Sequence, residues 1–279
     1  MSDANKISAD EYQQFKSFLE ETCGILLGEG KQYLIVSRLT KLLRDEELSS
    51  ISQLLSLIER AGYRRLRDAV IDAMTTNETS WFRDQNPFSV LEKVIFPQID
   101  ARQSQMGCRV WSAACSSGQE PYTISMILSE YLESATQSKI RNMNIVATDI
   151  SASMLTEAKM GYYEDATLGR GLSEQRKQRY FRQADNGWKV KDEIKQCVSF
   201  KPQNLLASYT GLGKFDIIFC RNVLIYFSPE RKTDILKRMA AILNPGGYLF
   251  LGASETTMSY SDDFEMIRDH AGVFFQLKN

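Results

Sequence analysis

Apolar residues near the start of the chain recur every three or four positions. Ser8-Ala9-Asp10-Glu11 has the S-x-x-E form of a capping box, and Tyr12, Phe15, Phe18 and Leu19 follow it at helical spacing. A second helix is predicted over 31–44. At about 100° per residue, its Ile35, Val36, Leu39, Leu42 and Leu43 share one face, while Arg38, Lys41 and Arg44 point the other way. A third helix begins near Ser50 with Leu54, Leu55, Leu57 and Ile58, and a fourth carries Leu66, Val70, Ile71 and Met74. No strand pattern interrupts them, so 1–75 reads as an all-α N-terminal domain.

From Gly107 the pattern changes. Short β-rich runs at 109–114, 144–149, 215–220, 248–252 and 272–277 alternate with helical stretches at 120–132, 153–159 and 229–242. Such alternation predicts an α/β fold with a mostly parallel, doubly wound sheet over 107–279. Only 255–271 separates the last two runs, too little for a crossover helix, so an antiparallel last strand is expected. Residues 76–106 connect the two parts, with Asn86 as a helix cap and Pro87 at the first helical position. A further helix over 173–181 capped by Ser173 precedes Arg182–Val190, where Asn186-Gly187 is a hairpin signal. With 198–200 as a third strand, this predicts a small antiparallel β-subdomain inserted at about 180–200.

The 279 residues are 43% hydrophobic and 25% charged, with a net charge of −1. That is ordinary globular composition, and it provides no global field for nucleic acid or anionic membrane. The five cysteines are scattered without a Cys-x-x-Cys pair, and His270 is the single histidine. These counts argue for a reducing, cytoplasmic setting and against a metal site or a histidine-based triad. The polar N-terminus is no signal peptide, and no apolar run reaches the roughly 18 residues of a membrane span.

Five segments have the composition of a site. Val110-Trp111-Ser112-Ala113-Ala114-Cys115-Ser116-Ser117-Gly118-Gln119-Glu120-Pro121 runs from a strand through small residues into a helix, where a ligand can approach the backbone. It lacks both the Gly-x-Gly-x-x-Gly of dinucleotide sites and a Gly-Lys-Ser/Thr, and an ordinary strand–helix turn is the alternative. Asn144–Asp149 ends a strand in a carboxylate that serves either ribose hydroxyls or a helix N-terminus. Phe215–Tyr226 brings Arg221, Asn222 and Tyr226 to the carboxyl edge of the sheet. Asn244-Pro245-Gly246-Gly247 makes a tight structural turn into a strand. Thr75-Thr76-Asn77-Glu78-Thr79-Ser80-Trp81-Phe82-Arg83 reads as a polar linker, although functional loops have the same composition.

As an ordered set these segments resemble the bacterial chemoreceptor glutamate methyltransferases of the CheR family. The resemblance rests on Thr76-Asn77-Glu78-Thr79 with Phe82-Arg83, on Trp111–Tyr122, on Ala147-Thr148-Asp149-Ile150, on Asn204-Leu205-Leu206, and on Cys220–Phe227. It covers nearly the whole chain. It implies a Rossmann-like methyltransferase sheet that binds S-adenosylmethionine and releases S-adenosylhomocysteine. By the same resemblance Asn77, Thr79, Arg83 and Glu120 meet the methionine end, Asp149 the ribose, and Asn204 and Leu205 the adenine. Arg221 and Asn222 form the pocket wall, with Tyr226 beside the transferred methyl, and Arg83 and Tyr226 are the residues expected at the chemistry.

The resemblance implies methylation helices of cytoplasmic receptor domains as substrate. Arg38, Lys41 and Arg44 are then a basic grip on an acidic helix; the alternative is a solvated helix face. In the family the β-subdomain can dock a receptor's C-terminal pentapeptide by strand addition. Members that use it carry a longer, Gly-rich loop, whereas 183–188 is short here, so no pentapeptide binding is expected. A methyltransferase acting on a small molecule or RNA is the rival enzyme reading, and a non-enzymatic cofactor-sensing module is the other.

Overall fold

A computed structural model describes residues 7–60, 62–102, 107–140 and 142–278. The last four positions of the expected connector, 103–106, and the first six of the expected helical domain lie outside the described residues.

Helix α1 (Ala9–Cys23) opens with the capping box: Glu11 N–H donates to Ser8 Oγ, and the Glu11 carboxylate accepts from Ser8 N–H. Gly24 closes it in the left-handed region at φ 79°. Helices α2 (Gln32–Asp45), α3 (Ile51–Ile58) and α4 (Arg64–Met74) follow. Their apolar stripes meet in one core, with Phe15 and Leu19 of α1 packed among Ile35, Leu39, Leu54, Ile58 and Val70. The connector forms α5 (Asn86–Val90), a π-helical turn (Leu91–Ile95) and α6 (Phe96–Arg102). Pro87 lies in the first turn as expected, but the helix starts at Asn86, and Gln85 holds the cap position at φ 45° without a side-chain bond.

The second domain runs β1 (Cys108–Ala113), α7 (Gln119–Ser134), β2 (Met143–Asp149), α8 (Ala152–Met160), β3 (Tyr162–Tyr163), α9 (Asp165–Leu168), α10 (Glu174–Tyr180), β4 (Phe181–Ala184), β5 (Gly187–Val190), α11 (Asp192–Lys195), β6 (Val198–Pro202), β7 (Phe215–Cys220), α12 (Pro229–Ile242), β8 (Leu243–Leu251), β9 (Phe264–Asp269) and β10 (Gly272–Leu277). The main sheet has the order β6-β2-β1-β7-β8-β10-β9. Strands β6 to β8 are parallel, and β10 and β9 close it antiparallel. Both faces are covered. Val110, Ile217, Phe219 and Phe250 point into one core and Trp111, Ile218, Leu249 and Leu251 into the other, the two-residue alternation of a strand buried on both sides. The sheet order turns at β1, and the carboxyl ends of strands flanking such a point form a crevice. Among the described residues no helix is long and apolar enough to cross a membrane.

Three expectations about strands need correction. Val198–Pro202 is not part of the small sheet; it pairs parallel with β2, Val198 beside Ile145 and Phe200 beside Ala147. The third strand of the small sheet is Tyr162–Tyr163, giving the order β3-β5-β4. In its hairpin Ala184 pairs with Gly187, so Asp185 and Asn186 form the turn. Gly187 serves packing instead, because a Cβ there would lie 2.6 Å from Tyr163 O. Finally, Pro245-Gly246-Gly247 lies inside β8, where pairing with β7 shifts register between Phe215 and Ile217.

Candidate active site

The carboxyl ends of β1, β2 and β7 open into a cavity whose opposite wall is the helical domain. Asn77, Thr79, Arg83, Glu120, Asp149, Asn204, Leu205, Arg221, Asn222 and Tyr226 all line it. So do Cys23 at the end of α1, Ile25, Leu26, Leu27 and Gly28 of the α1–α2 loop, and Lys31, Leu34 and Arg38 of the second helix region. Helical spacing does not mark that wall, since Ile25 to Leu27 form a short apolar run outside any regular element. Polar contacts fasten it to the sheet domain. Leu26 N–H donates to Tyr226 O (2.9 Å), Asn204 Nδ2 donates to Thr22 O (2.7 Å), and Ser151 Oγ donates to Asp72.

After β1 the backbone turns sharply, with Ala114 at φ 57°, Ser116 at φ 49° and Gly118 at φ 94°. Gly118 caps α7, and a Cβ there would lie 3.0 Å from Ala158 Cβ. Ser116 Oγ donates to Asn77 O (2.9 Å), which ties the connector to this small-residue loop. Asp149 stands at the end of β2, 6% exposed. Its Oδ2 accepts from Ser116 N–H (2.7 Å) and its Oδ1 from Ser151 N–H (2.9 Å). Burial pushes its carboxyl above the usual aspartate range, against the pull of those N–H bonds. The cap of α8 is Ser151, whose hydroxyl accepts from Met154 N–H. Asp149 is thus not the N-cap, and each of its oxygens has one lone pair beyond its backbone bond.

Arg221 follows β7 with its side chain 2% exposed. Its Nη1 donates to Glu120 Oε2 (3.0 Å), and its Nη2 donates to Asp84 Oδ2 and Arg83 O (both 2.8 Å). Glu120 also accepts from Ser112 Oγ (2.8 Å). A buried cation between two carboxylates is the arrangement that keeps a guanidinium tolerable away from water. It also leaves Arg221 engaged with the protein's own groups. Arg83, by contrast, engages the described residues through Nη1 alone, which donates to Glu78 O (2.9 Å). The Asn204 amide is likewise engaged, its Oδ1 accepting from Leu206 N–H (2.9 Å).

The helical-wheel reading put Arg38 with Lys41 and Arg44 on an outward face; the structure separates them. Arg38 Nη1 donates to Met74 O (2.6 Å) and Thr75 O (3.1 Å), and Nη2 donates to Thr76 Oγ1 (3.0 Å). Three stacked acceptors at the end of α4 draw this long side chain inward. Lys41 and Arg44 remain exposed, Arg44 beside Asp45 at 3.4 Å.

Residues 10–75 match the CheR methyltransferase all-alpha domain, and residues 77–273 match the CheR methyltransferase SAM-binding domain. The chain is 51% identical over 273 residues to a chemotaxis protein methyltransferase of Vibrio parahaemolyticus, covering 98% of each. It is 49% identical over 271 residues to chemotaxis protein methyltransferase 1 of Pseudomonas aeruginosa, covering 96% of this chain and 98% of that one. With the chemotaxis protein methyltransferase of Escherichia coli it shares 35% identity over 260 residues, 91% of this chain and 87% of that one.

Proposed function

The chain belongs to the CheR methyltransferase family, whose sheet domain binds S-adenosylmethionine, and we propose that it methylates glutamate side chains of chemotaxis receptors. The observation that carries this reading is convergence. Asn77 and Thr79 of the connector, Glu120 of α7, Asp149 of β2 and Asn222 and Tyr226 beyond β7 line one cavity that the helical domain also walls.

The cavity suits the cofactor chemically. The strained loop at Ala114–Gly118 lacks bulky side chains, and the spare lone pairs of Asp149 accept from a ribose diol. Asn204 and Leu205 flank the adenine end, with the Asn204 side chain acting through the loop it ties to Thr22. Asn77, Thr79 and Glu120 serve the methionine end. Arg221 positions Glu120 rather than reaching the ligand with both nitrogens.

The cofactor supplies a methyl group activated by the positive sulfur. A glutamate carboxylate, with a reference pKa of about 4.3, is already ionised at neutral pH, so no base has to remove a proton. The new O–CH₃ bond forms as the S–CH₃ bond breaks, and that electron pair stays on sulfur. The protein's contribution is alignment. Arg83 holds the carboxylate through its unengaged guanidinium nitrogens, and Tyr226 lies beside the methyl in transit.

Lys41 and Arg44 form the outward part of a grip on an acidic receptor helix. Arg38 is better assigned to holding the connector. The two-residue turn of the β4–β5 hairpin supports action without a pentapeptide tether. Transfer of labelled methyl from S-adenosylmethionine to receptor-containing membranes tests the reading. Label entering only RNA or small metabolites would replace it with the rival substrate class.

A further inference from the structure

Beyond Cys220 the chain leaves the sheet with Asn222 in the left-handed region at φ 57° and then makes a single 3₁₀ turn, Leu224–Tyr226. Four backbone N–H groups around this loop converge on one side chain. Glu255 Oε2 accepts from Asn222 N–H (2.7 Å) and Gly252 N–H (2.7 Å). Its Oε1 accepts from Val223 N–H (2.9 Å) and Ile225 N–H (3.2 Å). Glu255 is held in turn, because its own N–H donates to Gly252 O (2.9 Å). A Cβ on Gly252 would lie 2.7 Å from Glu255 Oε2 and 2.8 Å from Asn222 N, so the close approach of the β7 and β8 ends requires glycine.

The chemistry of this junction is specific to a carboxylate. Two acceptor-only oxygens offer about four lone-pair sites, one for each N–H. A glutamine at the same place would turn its NH₂ toward two of the donors and leave them unpaired, the costly half of a broken hydrogen bond. The far side of the loop meets the helical domain, since Tyr226 O accepts from Leu26 N–H (2.9 Å). The carboxylate therefore fixes the segment that carries Asn222 and Tyr226 between the sheet and the α1–α2 wall.

We propose that Glu255 is a positioning residue for methyl transfer, acting through the Asn222–Tyr226 loop. The proposal rests on the reading of Tyr226 as the group beside the transferred methyl. It is tested on the full-length protein with turnover of receptor-containing membranes and calorimetric binding of S-adenosylhomocysteine. Glu255→Gln lowers kcat by about tenfold or more while the product's Kd stays within about threefold, because Asp149 and the β1 loop are untouched. Glu255→Asp, with both oxygens on a shorter arm, falls between that variant and wild type. Adding Glu255→Gln to Tyr226→Ala costs no more than about twofold beyond Tyr226→Ala alone, since the two act through one element. The proposal is overturned by near-normal kcat in Glu255→Gln, by equal losses of kcat and product binding, by failure of the variant to bind product at all, or by fully additive effects. Normal turnover by Tyr226→Ala removes the premise and the proposal with it. Normal turnover by Glu255→Gln beside an impaired Tyr226→Ala removes the proposal alone.

Discussion

Arg83 and Arg221 are two guanidiniums of one cavity with different surroundings. Arg221 is buried against Glu120 and Asp84, while Arg83 spends one nitrogen on Glu78 O. Arg83→Ala is expected to cut turnover well over tenfold, roughly the loss of one charged, bidentate contact to a reacting carboxylate; near-normal rates of labelled methyl transfer would remove its role. Asp149 carries a pH dependence. Burial raises its pKa above the ordinary aspartate value, with Ser151 and Ser116 N–H groups opposing. For folding, the sign is that the neutral form is favoured. That stabilising increment is fully present below the unfolded-chain pKa and is lost as pH rises through the folded value. With the proposed ribose contact, cofactor binding runs the opposite way, because a diol donates to the ionised form. Affinity for S-adenosylhomocysteine should therefore weaken on acidification at a pH above the ordinary aspartate value of about 3.9. Calorimetry across that range checks it, and a flat profile would take Asp149 out of the ribose contact.

At the scale of elements, the cations of α2 point two ways. Arg38 faces the end of α4 and the connector; Lys41 and Arg44 face outward. Lys41→Glu with Arg44→Glu should raise the Michaelis constant for receptor several-fold at low salt and spare that for cofactor, the behaviour of exposed steering charges. Arg38→Glu should weaken cofactor binding as well. Steady-state kinetics with each substrate varied separates the two, and identical effects from all three charges would restore a single grip. Helical spacing identified α2 and its apolar stripe, but a periodicity has no information about three carbonyl and hydroxyl acceptors at the end of another helix. The same limit explains the strands. Those with buried faces, β1, β2, β7 and β8, stand out as apolar runs. Edge strand β9 does not, with only Phe264 fully buried among Glu265, Arg268 and Asp269. Strand β6 was visible but misassigned, since its partner β2 lies more than forty residues upstream, beyond any local pattern. Glu255 was invisible for a related reason: its four partners are backbone groups, which no side-chain motif records.

For the whole molecule, the cavity belongs to both domains. The connector, α1, the α1–α2 loop and α4 are joined to the sheet domain by Ser116–Asn77, Asn204–Thr22, Leu26–Tyr226 and Ser151–Asp72. The ordered motifs from Asn77 to Tyr226 disclosed the sheet side of this site and the connector, while the helical wall became evident only in three dimensions. The small sheet β3-β5-β4 stands apart from that cavity, and its hairpin turns on Asp185 and Asn186 alone. Calorimetry with a receptor C-terminal pentapeptide should show no appreciable binding, and a micromolar Kd would contradict the untethered reading. The central claim, esterification of receptor glutamates, is tested most directly by the chemistry of the product. Receptors labelled with methyl groups from S-adenosylmethionine should carry the label on glutamate side chains and release it in mild alkali, as carboxyl esters do. Label that resists alkali, or that maps to residues other than glutamate, would contradict the account.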